Sequence, residues 1–347
     1  MYYSSGSTSN PKSILYSHEN IIYLTNSINK NFNFNSNTKH LIVLPLGHTA
    51  SINYSFLPST IAGGTIFLLK NIFGENRKLF WRIIKQNKIN FVELVPSLVV
   101  AILNTIYKKV EYNKIDSLKF IGCGSSVLPK QVQKKFIKKF NIKLLNLYGL
   151  SETGPTHYEK PNKKKWSPGS IGLPLDVNKV TIFDENFKEC KIGIKGEIAI
   201  KGKNVFPGYF KNSTLTRKAF YQNWFLTGDI GYKDKNGFFH YVGRKKEIII
   251  KSGINISPDE IDEVIYKLQN IEQVLTIGVT NKVFGESIVS YVVLKKNKKI
   301  DKDEIINFCR KYLSLIKVPD KIVIVKKLPK TNSGKFSRKL LLNNINN

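Results

Sequence analysis

The sequence predicts an α/β protein in which a largely parallel sheet is followed by a small β-rich subdomain and then by a separate α+β domain. Three observations lead there. Between Leu41 and Tyr148 short apolar runs alternate with helical patterns, as strands and crossover helices of a parallel sheet do. From Gly169 the runs shorten and turn signals crowd in. After Arg244 helices and strands return in a new order, so the expected units are residues 1–168, 169–244 and 245–347.

Within the first unit LIVLPL from Leu41, TIFLL from Thr65, NFVELV from Asn90, LKFIG from Leu118 and IKLLNLY from Ile142 read as strands. Between them Lys78 to Gln86, Ser97 to Lys108 and Pro129 to Phe140 read as helices, with Pro129 suited to a first helical turn. The second unit holds VNKVTIFDEN, GEIAIKG and GYKDKNGFFHYVG, whose Asn236-Gly237 pair marks a hairpin turn. In the third, Pro258 to Leu268 and Lys302 to Leu313 read as helices. Glu272 to Val279, Ile288 to Leu294 and Lys321 to Val325 read as strands.

With 347 residues, 41% hydrophobic and 12% aromatic, the chain can bury a substantial core. Cys123, Cys190 and Cys309 are odd in number and far apart, which fits neither a disulfide framework nor a zinc cluster and points to a reducing cytoplasm. The most apolar stretch, Val92 to Ile106, is interrupted by Glu93, Pro96, Ser97 and Asn104, so no membrane span is expected. The net charge of +30 raises polyanions as partners. Its lysines, however, are dispersed among many asparagines and isoleucines without a basic, aromatic-lined stripe, which reads as compositional drift; no nucleic-acid partner is expected.

Chemistry gathers in five stretches. In MYYSSGSTSNPK the hydroxyls of Ser4, Ser5, Ser7, Thr8 and Ser9 surround Gly6, and Lys12 adds a positive charge. Such donors suit a phosphate; the same composition also fits a polar chain end. A P-loop of the NTPase type is disfavoured, because Pro11 stands where a second glycine would donate its N–H. NLYGLSETGP offers a ring (Tyr148) to stack on a base, a hydroxyl (Ser151) for a phosphate and a carboxylate (Glu152) for Mg²⁺, although an ordinary loop after a strand would look similar. In WFLTGDIGY, Asp229 can accept hydrogen bonds from a ribose diol. GRKKEIIIKSGINISPDEID supplies Arg244, Lys246 and Gly253, and LPKTNSGKFSRKLL places Lys335 in a polar loop.

In this order the five stretches resemble the adenylate-forming superfamily: acyl-CoA synthetases, aryl-CoA ligases, luciferases and the adenylation domains of peptide synthetases. The resemblance covers essentially the whole chain. The GRKKE hinge is similar to that of acyl-CoA synthetases rather than to the GRxDxQVKIRG type of peptide synthetases. LPLGH, ending at His48, is similar to the family's Pro-x-x-His segment near the acyl pocket; read alone, His48 fits a structural role.

The resemblance implies an N-terminally truncated adenylate-forming large domain followed by a mobile C-terminal domain, acting with ATP, Mg²⁺ and coenzyme A. A carboxylate attacks the α-phosphate of ATP to give acyl-AMP and pyrophosphate, and a thiol then displaces AMP. Lys335 is implied to bridge the carboxylate and α-phosphate oxygens, and Glu152 to hold Mg²⁺. Ser4, Ser5, Gly6, Ser7, Thr8 and Lys12 would cradle the outer phosphates with Ser151. Tyr148 and Gly149 would lie against adenine beside Asn146 and Gly124-Ser125, with Asp229 and Arg244 on the ribose. His48, Cys123 and Leu147 are implied near the acyl group. Rotation about Lys246 would withdraw Lys335 and bring Ser252-Gly253 toward the thiol channel. The implied partners are a carboxylic acid, fatty acids among the candidates, and either coenzyme A or an acyl or peptidyl carrier protein.

Two departures from the family pattern are small: Ser9 stands where relatives commonly have glycine, and GCGSSV from Gly122 replaces an SGGAPL-like segment. A third is larger. Family members carry a long leading segment, whereas MYYSSGS is expected not to supply even the strand before the loop. Three readings follow: a ligase whose leading part is encoded separately or lies upstream of a misassigned start, a decayed or frameshifted fragment, or a non-catalytic protein that binds nucleotides or polyanions.

Overall fold

The computed structural model describes residues 1–4, 12–47, 49–70, 72, 74–159, 167–331 and 336–346, without the side chains of Ser4 and of 344–346. The chain opens on an antiparallel hairpin of β1 (Tyr2–Ser4) and β2 (Lys12–Ile14). The serine-rich stretch therefore does have a strand before it, contrary to expectation. Three residues suffice because β2 supplies the backbone partners that so short a run lacks alone. Helix α1 (His18–Phe32) follows, a helix the apolar pattern had not marked. It starts on a reciprocal capping box: Ser17 Oγ accepts from the Asn20 N–H at 3.0 Å and Asn20 Oδ1 from the Ser17 N–H at 2.9 Å.

The main sheet contains β3 (Lys39–Ile42), β4 (Thr65–Leu68), β5 (Phe91–Leu94), β6 (Phe120–Cys123), β7 (Leu144–Leu150), β8 (Gly154–Tyr158) and β9 (Leu173–Pro174) in the order β4-β3-β5-β6-β7-β8-β9. From β4 to β7 all pairings are parallel; β8 and β9 join antiparallel, so the sheet continues past residue 168. Its crossovers carry α2 (Leu57–Ile61), α3 (Phe80–Gln86), α4 (Pro96–Leu103), α5 (Lys109–Tyr112) and α6 (Lys130–Phe140). Helix α4 is shorter than expected and ends at Leu103, and Ser51–Phe56 forms a π-helical turn that leads into α2. All four residues of β5 are buried, as a central parallel strand covered on both faces requires. One face packs Val92 and Leu94 with Trp81 and Phe136; the other packs Phe91 with Leu24, Phe32 and Phe120.

The β-rich subdomain holds β10 (Asn178–Phe183), β11 (Gly196–Gly202), β12 (Phe220–Tyr221), β13 (Trp224–Lys233) and β14 (Phe239–Arg244), all antiparallel, with α7 (Ser213–Ala219) before β12. The Asn236-Gly237 turn joins β13 to β14 as the sequence indicates. Asp234 Oδ1 accepts the N–H groups of Asn236 and Phe238 at 2.9 Å each. A short turn, Lys245–Glu247, leads into the C-terminal sheet of β15 (Ile249–Lys251), β16 (Ile254–Ile256), β17 (Ile271–Asn281), β18 (Gly285–Leu294) and β19 (Lys321–Ile324). Helices α8 (Pro258–Ile265), α9 (Lys302–Arg310) and α10 (Arg338–Asn346) accompany it, and Ile261, Ile265, Ile288 and Ile305 form its dry centre. Among the described residues no helix is long and apolar enough to cross a membrane.

Candidate functional site

A cleft of about 1900 Å³ runs between the large domain and the C-terminal domain. One wall is the hairpin of β13 and β14, whose register sets Asp229 opposite Arg244. Arg244 Nε lies 3.0 Å from Asp229 Oδ1, and the Tyr148 hydroxyl donates to Asp229 Oδ2 at 2.7 Å. Asp229 is only 1% exposed. Burial pushes its carboxyl up, while Arg244 and the Tyr148 hydroxyl pull it back toward the ionised form. Asp229 in turn holds Arg244 more firmly protonated, and burial beside that carboxylate pushes the Tyr148 phenol well up. The result is a fixed, buried acceptor at the cleft wall.

A second carboxylate, Glu152, follows the turn from β7. The Tyr209 hydroxyl donates to Glu152 Oε1 at 2.9 Å, and the Phe206 N–H donates to the Glu152 carbonyl at 2.9 Å. Lys12 Nζ stands 5.0 Å from the centroid of the Tyr209 ring, so cation, ring and carboxylate lie in a row. Tyr16 packs beside them; burial first, and Glu152 second, push its phenol well up. Ser151 and Thr49 hydroxyls meet at 3.3 Å. The turn needs glycine: a Cβ on Gly149 would come within 2.2 Å of the Gly154 carbonyl oxygen, and Gly154 itself has φ +61°.

The other sequence-derived residues divide. Ser125, Asn146, Leu147 and Lys246 border the cleft. Asn146 is held by its neighbours: its N–H donates to Glu159 Oε2 at 2.7 Å and its Nδ2 to the Ser170 carbonyl at 2.8 Å. Burial, then Arg244, lower the Lys246 ammonium. Gly124 packs against Leu147 through its missing side chain, since a Cβ there would lie 2.8 Å from the Leu147 carbonyl oxygen. Cys123 does not border the cleft. Strand alternation turns Gly122 and Gly124 toward Leu147 and Cys123 the opposite way, into the core with Leu94, Leu98 and Leu144, where burial pushes its thiol well up. Ser252 and Gly253, with φ of +51° and +76°, form the tight turn between β15 and β16 and lie away from the cleft border. Ser5, Gly6, Ser7, Thr8, His48 and Lys335 lie outside the described residues, and of Ser4 only the backbone of β1 is described.

Tyr209, Glu197 and Arg338 also belong to this region and escaped the sequence reading. Glu197 accepts the Gly228 N–H at 2.9 Å and pairs with Lys245 at 3.0 Å, which steadies the strand that carries Asp229. Arg338 lies inside the LPKTNSGKFSRKLL stretch, but its role, like those of Tyr209 and Glu197, is recognisable only by the partners it reaches.

The pattern of the AMP-binding enzyme family matches residues 1–210, and that of the AMP-binding enzyme C-terminal domain matches residues 260–335. The chain belongs to the AMP-binding enzyme family. Among relatives of this chain, oxalate–CoA ligase of Saccharomyces cerevisiae is 32% identical over 344 residues, covering 98% of this chain and 62% of that protein. Long-chain-fatty-acid–CoA ligase of Bacillus subtilis is 33% identical over 349 residues, covering 99% of this chain and 61% of that protein. The chain thus spans about three fifths of the length of these curated relatives. The ATP-bound structure of MatB from Rhodopseudomonas palustris superposes with a TM-score of 0.91 at 26% identity, covering 99% of this chain and 67% of that one. The adenylate-forming fold expected from the motifs is the fold present.

Proposed function

We propose that this chain adenylates a carboxylic acid with ATP and passes the acyl group to the thiol of coenzyme A. One observation carries the reading: Tyr148, Asp229, Arg244, Glu152 and the C-terminal residues Thr331 and Phe336 to Leu340 all border a single cleft. In the first step a carboxylate oxygen bonds to the α-phosphorus and the bond to the bridging oxygen breaks, so pyrophosphate leaves with the electron pair. Charge shifts among phosphate oxygens, and fixed donors and cations aimed at them lower the barrier.

Asp229 is assigned to the ribose hydroxyls, kept ionised by Arg244 in a buried site that would otherwise favour its protonation. Tyr148 forms the wall beside the base, and Lys12 flanks the loop assigned to the outer phosphates. Lys335 immediately precedes Phe336, a residue of the cleft border, and is assigned to the reacting carboxylate and α-phosphate. Mg²⁺ fits Glu152, a nearly buried hard-oxygen donor braced by Tyr209; when bound, the ion neutralises phosphate charge. In the second step the thiol sulfur bonds to the acyl carbon and AMP leaves. The residues after Lys335 face the cleft while Ser252-Gly253 do not, which supports an adenylating arrangement that rotation at Lys246 would convert for thioester formation. Coenzyme A is the assigned acceptor because the relatives named above are CoA ligases. The free thiols of Cys123, Cys190 and Cys309 support a cytoplasmic setting.

The test is exchange of labelled pyrophosphate into ATP with a panel of dicarboxylic, short-chain, aryl and long-chain acids. We expect exchange that depends on one of these acids, lost in Lys335→Ala while acyl-CoA still forms from supplied acyl-AMP. ATP binding without exchange for any acid would overturn the reading.

A further inference from the structure

The first residue of α10, Arg338, spends its guanidinium in several directions at once. Nη1 contacts Glu247 Oε2 at 3.0 Å; Nη2 contacts Asp259 Oδ1 at 2.6 Å and Asp262 Oδ2 at 2.7 Å; Nε donates to the Thr276 carbonyl at 2.9 Å. Four pieces of the domain therefore meet at one side chain: the turn after β14, helix α8, strand β17 and the start of α10. Asp262 is itself tied to β17, since its Oδ1 accepts the Thr276 N–H at 2.8 Å. Three carboxylates around one guanidinium leave the node short of positive charge, and burying it costs solvation that a plain helix anchor would avoid. What such a node does supply is direction, because a planar fork fixes the angle of each partner.

The position of the node gives that direction a use. Glu247 directly follows the hinge residue Lys246, and Arg338 comes three residues after Lys335. On either side of residues 332–335 the chain is tied together by a bridge between Lys330 and Phe336 and by the Ser337 N–H to the Pro329 carbonyl at 3.2 Å. Arg338 follows at once and ties those flanks to the hinge turn. Resting on the function proposed above, we infer that Arg338 is a positioning residue: it holds the Lys335 segment at a set distance from the hinge, so adenylation depends on it and thioester formation does not.

The variant that tests this is Arg338→Lys, which keeps the charge but loses the fork. A reacting group displaced by about 1 Å costs on the order of 100-fold in rate. We therefore expect pyrophosphate exchange, with the best acid of the panel, to fall by about 100-fold, while acyl-CoA formation from supplied acyl-AMP stays at the wild-type rate. Glu247→Gln, which weakens only the hinge arm, should give a smaller loss of the same selectivity. Hydrogen exchange without any substrate should quicken at the partners of the fork and at the flanks of Lys335, residues 247–250, 259–262, 276, 327–331 and 336–341, in Arg338→Lys. Equal loss of both half-reactions, or unaltered hydrogen exchange at those residues, would overturn the inference. Because hydrogen exchange needs no substrate, a wild-type chain inactive on every acid counts against the proposed function and leaves this readout decisive for Arg338.

Discussion

Arg244 meets Asp229 across one pair of neighbouring strands, whereas Arg338 draws in Glu247, Asp259 and Asp262 from 76 to 91 residues earlier in the chain. The side chain of Arg244 is 41% exposed and that of Arg338 is 13% exposed. Both clusters border one cleft, yet the first has one arginine for one carboxylate and keeps an open side, while the second has one arginine for three carboxylates and is the more enclosed of the two. An ion pair with an open side can receive a ligand. One whose guanidinium is spent on four partners is suited to holding parts together.

The sharpest way to break this comparison is Asp229→Ala. It removes the carboxylate that the open cluster presents, and two charge-assisted hydrogen bonds at about 1.5–3 kcal/mol each are at stake. ATP affinity, measured by calorimetric titration, should fall by about 100-fold or more; unchanged affinity would dissolve the distinction between receiving and holding. Tyr209→Phe removes the donor that, among the described residues, braces the Glu152 carboxylate and should weaken the apparent Mg²⁺ affinity of the exchange reaction by about tenfold, the lower end of a hydrogen bond to a charged group. A titration of exchange rate against Mg²⁺ checks it.

The closed cluster predicts a pH effect of its own. Burial, reinforced by Asp259, pushes Asp262 up to about 6 against the pull of Arg338, from an ordinary 3.8. Over that interval the folded protein keeps a proton the unfolded chain has lost, so stability falls as pH rises through it, by about 1 kcal/mol per pH unit. Urea unfolding of wild type and Asp262→Asn between pH 4 and 7 should differ by that slope, and parallel curves would show that the node carries no such strain. The smallest effect is expected at Lys245, 63% exposed in its pair with Glu197. Lys245→Ala should cost about 0.5 kcal/mol or less in thermal unfolding and leave ATP affinity unchanged.

What the sequence displayed and what it hid follow the same division. Tyr148, Glu152, Asp229 and Arg244 are legible because each sits in a short motif whose residue types match nucleotide chemistry, and the turns that carry them have local signals such as Asn236-Gly237. The parallel strands were legible for a similar reason: buried on both faces, they read as unbroken apolar runs. Arg338 was not legible, because nothing near it in sequence announces acids about eighty residues away. Cys123 was misjudged because a strand alternates its faces, and one residue decides between cleft and core. Helix α1 was hidden by its many asparagines, although its Ser17 and Asn20 cap was there to read, and the π-helical turn at Ser51–Phe56 has no periodic signature at all.

The strand β14 ends on Arg244, and the next three residues are the turn to the C-terminal domain. Under the proposed rotation, Arg244, the partner of the carboxylate assigned to the ribose, is the last fixed point before the pivot. A pull on Asp229 would reach the axle through that single ion pair. The third residue of that turn, Glu247, then hands the same pull to Arg338. Under that proposal, occupancy of the nucleotide wall and the angle of the small domain would be geared through a single stretch of four residues.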